Sequence, residues 1–242
     1  MLRELFGEAD RQDEGLLAEA FAALRRYRAE LQRRLDDPGL SKPRSAKLRK
    51  MEVWTGGFFI SLDELEQSLY IAAKYAGQVR QVALEEMDPE ERKNYYRYVY
   101  YFKNGFIRVF SLLDKIGGFM NEWFMLETWR VKPRFSYFTV CRHMYERKLH
   151  ASLERELFAH KTYYEAPMRK LRQQRNTEMH LMNAETIDDL TSAASDSDAK
   201  PLENVNENIA DLEQGYMMAC KAMRSVFDYG ARTFDDTLRL TP

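Results

Sequence analysis

The chain has 242 residues, of which 31% are charged, and its formal net charge is −1 at pH 7. This length allows a sizeable hydrophobic core. The near-neutral charge argues against a protein that holds nucleic acid by bulk charge. Cys141 and Cys220 have neither the spacing of a disulfide scaffold nor that of metal ligands. The charged N-terminal stretch does not resemble a signal peptide and no apolar run approaches the roughly 18 residues of a membrane helix, so we expect a cytoplasmic protein without membrane contact.

Helical periodicity runs through nearly the whole chain, and strand alternation is almost absent. The pattern predicts a first helix over residues 12–35 and a second over residues 52–86. A third helix follows Asp88, which is expected to be its N-cap, with Pro89 at the first helical position and Glu91 at the third. The apolar positions of the third helix alternate steps of three and four and predict a buried seam: Val99, Phe102, Phe106, Val109, Leu113, Ile116, Met120 and Trp123.

The second half of the chain predicts further helices joined by loops. We expect a loop near residues 129–138, one or two helices over residues 138–160, and a helix with Pro167 in its first turn that ends near Met182. A last helix over residues 205–229 is expected to end at Gly230. Residues 185–201 are acidic and without periodicity, which predicts a flexible loop. The sequence therefore predicts one all-α domain over residues 1–242, an antiparallel helical bundle whose residues 1–50 form an N-terminal helical extension.

The segment LRQQRNTEMH, residues 171–180, carries unusual chemistry inside an apolar helical pattern. A helical wheel groups five side chains in one narrow arc, the predicted buried face: Met168, Leu171, Arg175, Met179 and Met182. A desolvated guanidinium needs an acid, carbonyl groups, a second subunit or a phosphate beside it. Asn176 and His180 lie four residues apart on the neighbouring face. Arginine can hold an oxyanion and histidine can transfer protons near neutral pH, so this helix is a candidate catalytic surface.

Two other interpretations of these residue types are open. In the first, Arg175 pairs with a structural carboxylate such as Asp114, and His180 is a core histidine with satisfied hydrogen bonds. In the second, the same arginine-to-histidine spacing in RELFAH is the functional copy; there, however, periodicity places Arg155 on the surface and His160 in the core.

A metal site is a further possibility. His143, Glu146 and His150 share a face at spacings that a metal could use, but a fourth ligand is absent from the pattern, so solvated helix surface is the favoured interpretation. We expect no cofactor.

Two segments carry a resemblance to a known family. RNTEMH, residues 175–180, is similar to the HEPN superfamily motif of arginine, a polar residue, three variable positions and histidine. YYFKNGFIRVFSLLDKIGGFMNEWF, residues 100–124, resembles the long helix that some bacterial HEPN families carry ahead of this motif. The resemblance covers roughly residues 54–230 and leaves the N-terminal helix outside.

The resemblance implies a four-helix core that forms a homodimer, with two motif helices facing each other in one composite ribonuclease site. Arg175 would orient and neutralise the scissile phosphate, Asn176 would hold the geometry, and His180 would act as general acid or base while a ribose 2′-OH attacks. This cleavage needs no metal. The basic residues of the same helix are expected to contact RNA: Arg169, Lys170 and Arg172.

Members of the superfamily often act as toxins or in defence against phage, which implies an antitoxin or regulator that the sequence does not identify. Other members are non-catalytic RNA or nucleotide binders or protein-interaction modules, and this is the alternative function. Met182 stands where toxins silenced by a nucleotidyltransferase carry a tyrosine, so the sequence does not predict that form of control. The acidic loop, residues 185–201, is expected to be either an inert linker or a lid that competes weakly with RNA.

Overall fold

The structure is a computed structural model that describes residues 2–180 and 204–239. Eight α-helices lie in these residues: α1 Gly15–Leu35, α2 Lys42–Ala76, α3 Pro89–Trp123, α4 Tyr137–Arg147, α5 Ala151–Tyr163, α6 Glu165–His180, α7 Val205–Arg232 and α8 Phe234–Arg239. Short 3-10 turns occur at Leu2–Phe6, Leu84–Glu86 and Thr128–Arg130, and neither described range contains a β-strand. The predicted all-α fold is confirmed. Met182 and the acidic loop, residues 185–201, lie outside the described residues.

The start of α3 and its apolar seam are confirmed in detail. Asp88 Oδ1 accepts hydrogen bonds from the backbone amides of Glu90 at 2.8 Å and Glu91 at 2.9 Å, so Asp88 caps the helix that Pro89 begins. All eight predicted seam residues, from Val99 to Trp123, are buried. The alternation of three and four therefore identified the buried face of a helix 35 residues long.

The predicted bounds of the second helix are wrong at both ends. Helix α2 begins at Lys42 because the basic stretch continues the helical pattern and because Leu48 and Met51 are fully buried. It ends at Ala76, before Gly77, so that Val79 lies outside the helix.

Helix α7, predicted as the last helix, continues past Gly230 to Arg232 and is followed by α8, so the predicted role of this glycine as a helix terminator is wrong. A Cβ atom at Gly230 would lie 3.3 Å from the Tyr27 ring of α1, so the glycine allows this ring to pack closely against the backbone of α7. The predicted region 138–160 contains two helices, α4 and α5. In the link between α4 and α5, Lys148 and His150 adopt left-handed φ angles of 53° and 50°, respectively.

Backbone contacts group the chain into two compact units, which we call unit 1 and unit 2. Unit 1 comprises residues 1–10, 64–110 and 164–217, and unit 2 comprises residues 11–63, 111–163 and 218–242. The single domain over residues 1–242 and the separate N-terminal extension stay predictions.

Unit 1 contains packed segments of α2, α3, α6 and α7. Ser68 on α2 donates a hydrogen bond to Asn104 on α3 at 3.0 Å. Helix α3 approaches α7 closely at Gly105, where a Cβ atom would lie 2.7 Å from a Leu212 methyl carbon. These contacts join α2 with α3 and α3 with α7 inside unit 1.

Unit 2 is organised by an aromatic cluster around the fully buried Tyr27 of α1. The Tyr27 ring lies 5.3–5.5 Å, between centroids, from four rings of α3, α7 and α8: Phe119, Trp123, Phe227 and Phe234. Cys141 and Cys220, both in unit 2, are buried free thiols, and burial raises the pKa of Cys141 to about 12. Among the described residues, no helix is both long enough and apolar enough to cross a bilayer.

Candidate active site

Helix α6 is held in unit 1 by its apolar side and by polar contacts at its flanks. Met168 and Leu171 are buried, and a Cβ atom at Gly215 of α7 would lie 2.7 Å from the Leu171 Cδ1 atom. Gln174 donates a hydrogen bond to Asn208 of α7 at 3.0 Å. Since glycine at 215 allows this close approach, the backbone of α6 has a defined position against α7.

Arg175, which the helical pattern places in the middle of the buried face, is half-buried in the structure. Its guanidinium carbon lies 4.6 Å from the centroid of the buried Phe110 ring on α3, while its Nη2 atom donates to Asn176 Oδ1 at 3.0 Å. A long side chain can cover apolar surface with its stem and keep its charge at the edge, which explains the intermediate exposure. Attraction between a cation and an aromatic face contributes about 0.5–1 kcal/mol at a partly exposed site.

The alternative partner of Arg175, Asp114, has another function. Asp114 Oδ1 accepts the backbone N–H of Tyr137 at 2.9 Å, at the start of α4 in unit 2. Within residues 2–180 and 204–239, Arg175 forms no ion pair with a carboxylate. The nearest candidate along the helix is Glu178, whose carboxylate instead pairs with Lys103 of α3 at 2.8 Å.

Asn176 is exposed beside Arg175, and His180 is the last residue of α6. The amide oxygen of Asn176 accepts from the guanidinium, and among residues 2–180 and 204–239 its NH₂ group donates no side-chain hydrogen bond. The side chain of His180 lies outside the described part of the structure. The backbone places His180 one helical turn beyond Asn176, about 6 Å along the helix axis at the usual rise.

The three predicted RNA-contacting residues differ in their surroundings. Arg169, Lys170 and Arg172 are all exposed on α6. Lys170, however, pairs with Glu207 and lies 3.4 Å from the Asp211 carboxylate, both on α7. The hydrogen bond to Glu207 raises the pKa of Lys170, while burial raises the pKa of Asp211. A phosphate would have to compete with two carboxylates for Lys170.

Sequence reasoning missed Phe110 and Lys103. Phe110 follows Val109 at the flank of the predicted seam, and nothing in the sequence marks it as the ring beneath an arginine. Lys103 is a single cation among aromatic residues of α3, and its pairing with Glu178 depends on the packing of two helices. In the structure, Phe110 supports the guanidinium of Arg175 and Lys103 holds the neighbouring carboxylate of Glu178 in an ion pair.

The second arginine-to-histidine copy belongs to unit 2 and has a structural environment. Arg155 is exposed, and His160 is half-buried with Nε2 3.1 Å from Ser225 Oγ. Burial lowers the pKa of His160. The predicted surface position of Arg155 is confirmed. The predicted core position of His160 is wrong, because this residue is only half-buried.

The possible metal face formed by His143, Glu146 and His150 is absent because the chain leaves the helix between Arg147 and Ala151. His143 is buried and its Nε2 atom lies 2.9 Å from the carbonyl oxygen of Leu126. His150 Nδ1 lies 3.0 Å from the Tyr229 hydroxyl. The prediction that these side chains lie on a solvated helix surface is wrong for His143, because this residue is buried. No set of three potential metal ligands is grouped together in the described residues.

Comparison with known proteins gives one positive result. A family model described as HEPN_Cthe2314-like HEPN matches residues 54–231. No curated protein and no solved structure matches the chain. The matched range contains the whole of α3 to α6 and leaves out α1. It confirms the resemblance indicated by RNTEMH and by residues 100–124.

Proposed function

The chain belongs to the HEPN_Cthe2314-like HEPN family, and on this premise we propose that it is a metal-independent endoribonuclease. The proposed catalytic residues are Arg175, Asn176 and His180 of α6. Arg169 and Arg172 of the same helix are exposed and would contact the RNA backbone, and Lys170 would join them when it leaves its ion pairs.

The environment of Arg175 is the main support for this proposal. Its guanidinium lies over Phe110 and is hydrogen-bonded to Asn176, without a carboxylate partner in the described ranges. Arginine has five N–H donors in a planar arrangement that matches the oxygens of a phosphate. Partial burial reduces screening by water, so a phosphate beside Arg175 would be held more strongly than by a fully exposed side chain.

The proposed reaction forms a bond between a ribose O2′ atom and the adjacent phosphorus and breaks the bond between phosphorus and O5′. A base takes the proton of the 2′-OH and an acid gives a proton to the leaving O5′ atom, so the products are a 2′,3′-cyclic phosphate and a 5′-OH. An imidazole titrates near neutral pH and can do either step, which is the role proposed for His180. Arg175 would stabilise the additional negative charge on the phosphorane oxygens.

A homodimer would complete this site. One α6 helix supplies one motif histidine, whereas in-line displacement uses a base and an acid on opposite sides of the phosphorus. A second copy would supply the second histidine and would cover the exposed surface around Asn176. The dimer and its composite site are part of the proposal.

The biological role that fits such an activity is a toxin or an effector of phage defence, controlled by an antitoxin or regulator. The alternative is a HEPN-type module that binds RNA, a nucleotide or a protein without breaking a bond. The ion pairs of Lys170 favour this alternative because they reduce the positive charge available on α6. An endoribonuclease would need His180 to cleave RNA, whereas a binding module would leave RNA intact with or without this residue.

A pair of histidine variants tests the proposal. Cleavage of a labelled RNA should fall about 10²–10⁴-fold in His180→Ala, the usual contribution of a general acid or base, and should stay unchanged in His160→Ala. Thermal unfolding serves as the control for folding. Full activity of His180→Ala would refute the assignment, and loss of activity in His160→Ala at an unchanged Tm would identify the other copy as the site.

A further inference from the structure

A cavity of about 400 Å³ lies between α2 and α3 within unit 2, and its walls are almost entirely apolar. Its lining residues are Val53, Trp54, Gly57, Phe58, Lys115 and Gly118. Val53 is 73% exposed at the rim, whereas Phe58 is buried. Cavities of roughly 300–1,000 Å³ with apolar walls and a few polar groups are typical sites for small ligands.

Two glycines keep this cavity open without being needed for helix packing. A Cβ atom at Gly57 or Gly118 would meet no heavy atom within 4 Å. By contrast, a Cβ atom at Gly105 or Gly117 of α3 would lie within 2.8 Å of an atom of Leu212 or Tyr137, respectively. Glycine inside a helix is destabilising relative to alanine, so close packing accounts for the second pair but not for the first. The empty space itself is the feature that Gly57 and Gly118 share.

The cavity is lined by one lysine that has no carboxylate partner among the described residues. Lys115 Nζ donates to the Ser61 hydroxyl at 2.8 Å and has no carboxylate partner in residues 2–180 and 204–239. The other nearby cation, Lys50, lies 5.0 Å from the Trp54 ring but pairs with Glu122 at 2.8 Å. An ammonium group at the edge of an apolar cavity favours an anion whose remaining body is apolar.

We propose that this cavity binds a carboxylate with an apolar tail, of the size of a medium-chain fatty acid. The tail lies between Trp54 and Phe58 over Gly57 and Gly118, and the carboxylate accepts hydrogen bonds from the Lys115 ammonium. A nucleotide fits less well, because Lys115 is the one charged side chain among the described lining residues and Trp54 adds only a single N–H donor, so the edge of a base would lose most of its hydrogen bonds to water. This inference goes beyond ribonuclease activity and does not depend on it.

Isothermal titration with decanoate and with decylammonium tests whether the cavity prefers a negatively charged ligand. Decanoate should bind saturably with one site per chain, and decylammonium, which has the same tail, should bind at least about tenfold more weakly. Lys115→Met should remove this preference. Shortening the tail to octanoate should weaken binding about fifteenfold, since each buried methylene changes affinity roughly fourfold. No saturation by about 1 mM decanoate, or equal affinities for the two ions, would overturn the proposal.

Two neighbouring glycines of α2 provide a matched test of the position. Gly57→Leu should fill the cavity and lower the decanoate affinity by about tenfold or more. Gly56→Leu is the control, because a Cβ atom at Gly56 also meets no heavy atom within 4 Å but Gly56 does not line the cavity. Equal decanoate affinities of both variants would place the ligand elsewhere. A change in dimer mass in Gly57→Leu, with unchanged decanoate affinity, would show that a second copy occupies this surface and would overturn the proposal.

Discussion

Gly117 and Gly118 are adjacent in α3, yet the structure predicts opposite effects when each is replaced by alanine. A Cβ atom at Gly117 would lie 2.8 Å from the Tyr137 Cα atom and 3.1 Å from its backbone nitrogen. That nitrogen donates to Asp114 Oδ1 at 2.9 Å, so the backbone at Tyr137 cannot move without weakening a hydrogen bond to a carboxylate. A Cβ atom at Gly118 meets no heavy atom within 4 Å.

The magnitudes follow from these contacts. Overpacking costs about 1–3 kcal/mol, and a weakened hydrogen bond to a charged group costs about 1.5–3 kcal/mol. Replacing a helical glycine by alanine contributes about 1 kcal/mol of stability at either position. Gly117→Ala should therefore lower the free energy of unfolding by about 1.5–5 kcal/mol, whereas Gly118→Ala should raise it by up to about 1 kcal/mol.

Urea and thermal unfolding measure this difference. For a chain of this size, about 2–4 °C of Tm corresponds to 1 kcal/mol, so Gly117→Ala should lose roughly 3–20 °C and Gly118→Ala should gain a few degrees. The urea m-value should stay constant in both variants if only the native contacts change. Equal Tm values for the two variants, or a more stable Gly117→Ala, would refute the close approach of α3 to the start of α4.

Three further predictions concern assembly, pH dependence and activity in cells. Light scattering should give the mass of a homodimer at micromolar concentration, and a strict monomer that still cleaves RNA would contradict the composite site. Burial lowers the pKa of His160, so the unfolded chain binds this proton more readily and Tm should fall as the pH drops below about 6.5. His160→Gln should reduce that slope, and an unchanged slope would show that His160 does not cause it. Induced expression should slow bacterial growth, and His180→Ala should restore it; equal growth inhibition by both proteins would argue against toxicity through RNA cleavage.

The sequence predicted those parts of the fold that depend on local rules. The N-cap at Asp88 and the seam from Val99 to Trp123 follow from hydrogen-bonding side chains and helical spacing, and both are confirmed. Gly230 was misinterpreted because a glycine that ends a helix and a glycine that admits the Tyr27 ring look the same in a sequence. The second helix was predicted to continue to residue 86, although its apolar stripe runs only as far as Val79, and the structure ends α2 at Ala76.

For the candidate site, the sequence supplied the residues of the motif but not their contacts. The spacing of Arg175, Asn176 and His180 is a local property of one helix. The ring of Phe110 and the ion pair between Lys103 and Glu178 come from another helix, and their positions depend on how α3 and α6 pack. Periodicity placed Arg175 on the buried face but could not show how much of it is covered, because it treats each residue as one point and does not separate an apolar stem from a charged end.

The central claim is that this chain cleaves RNA without a metal through Arg175, Asn176 and His180. Its most direct test is incubation of purified protein with a 5′-labelled RNA in excess EDTA, followed by identification of the new ends. We expect cleavage with 2′,3′-cyclic phosphate and 5′-OH ends, which His180→Ala slows by about 10²–10⁴-fold. Intact RNA, or products with 3′-OH and 5′-phosphate ends, would contradict the central claim.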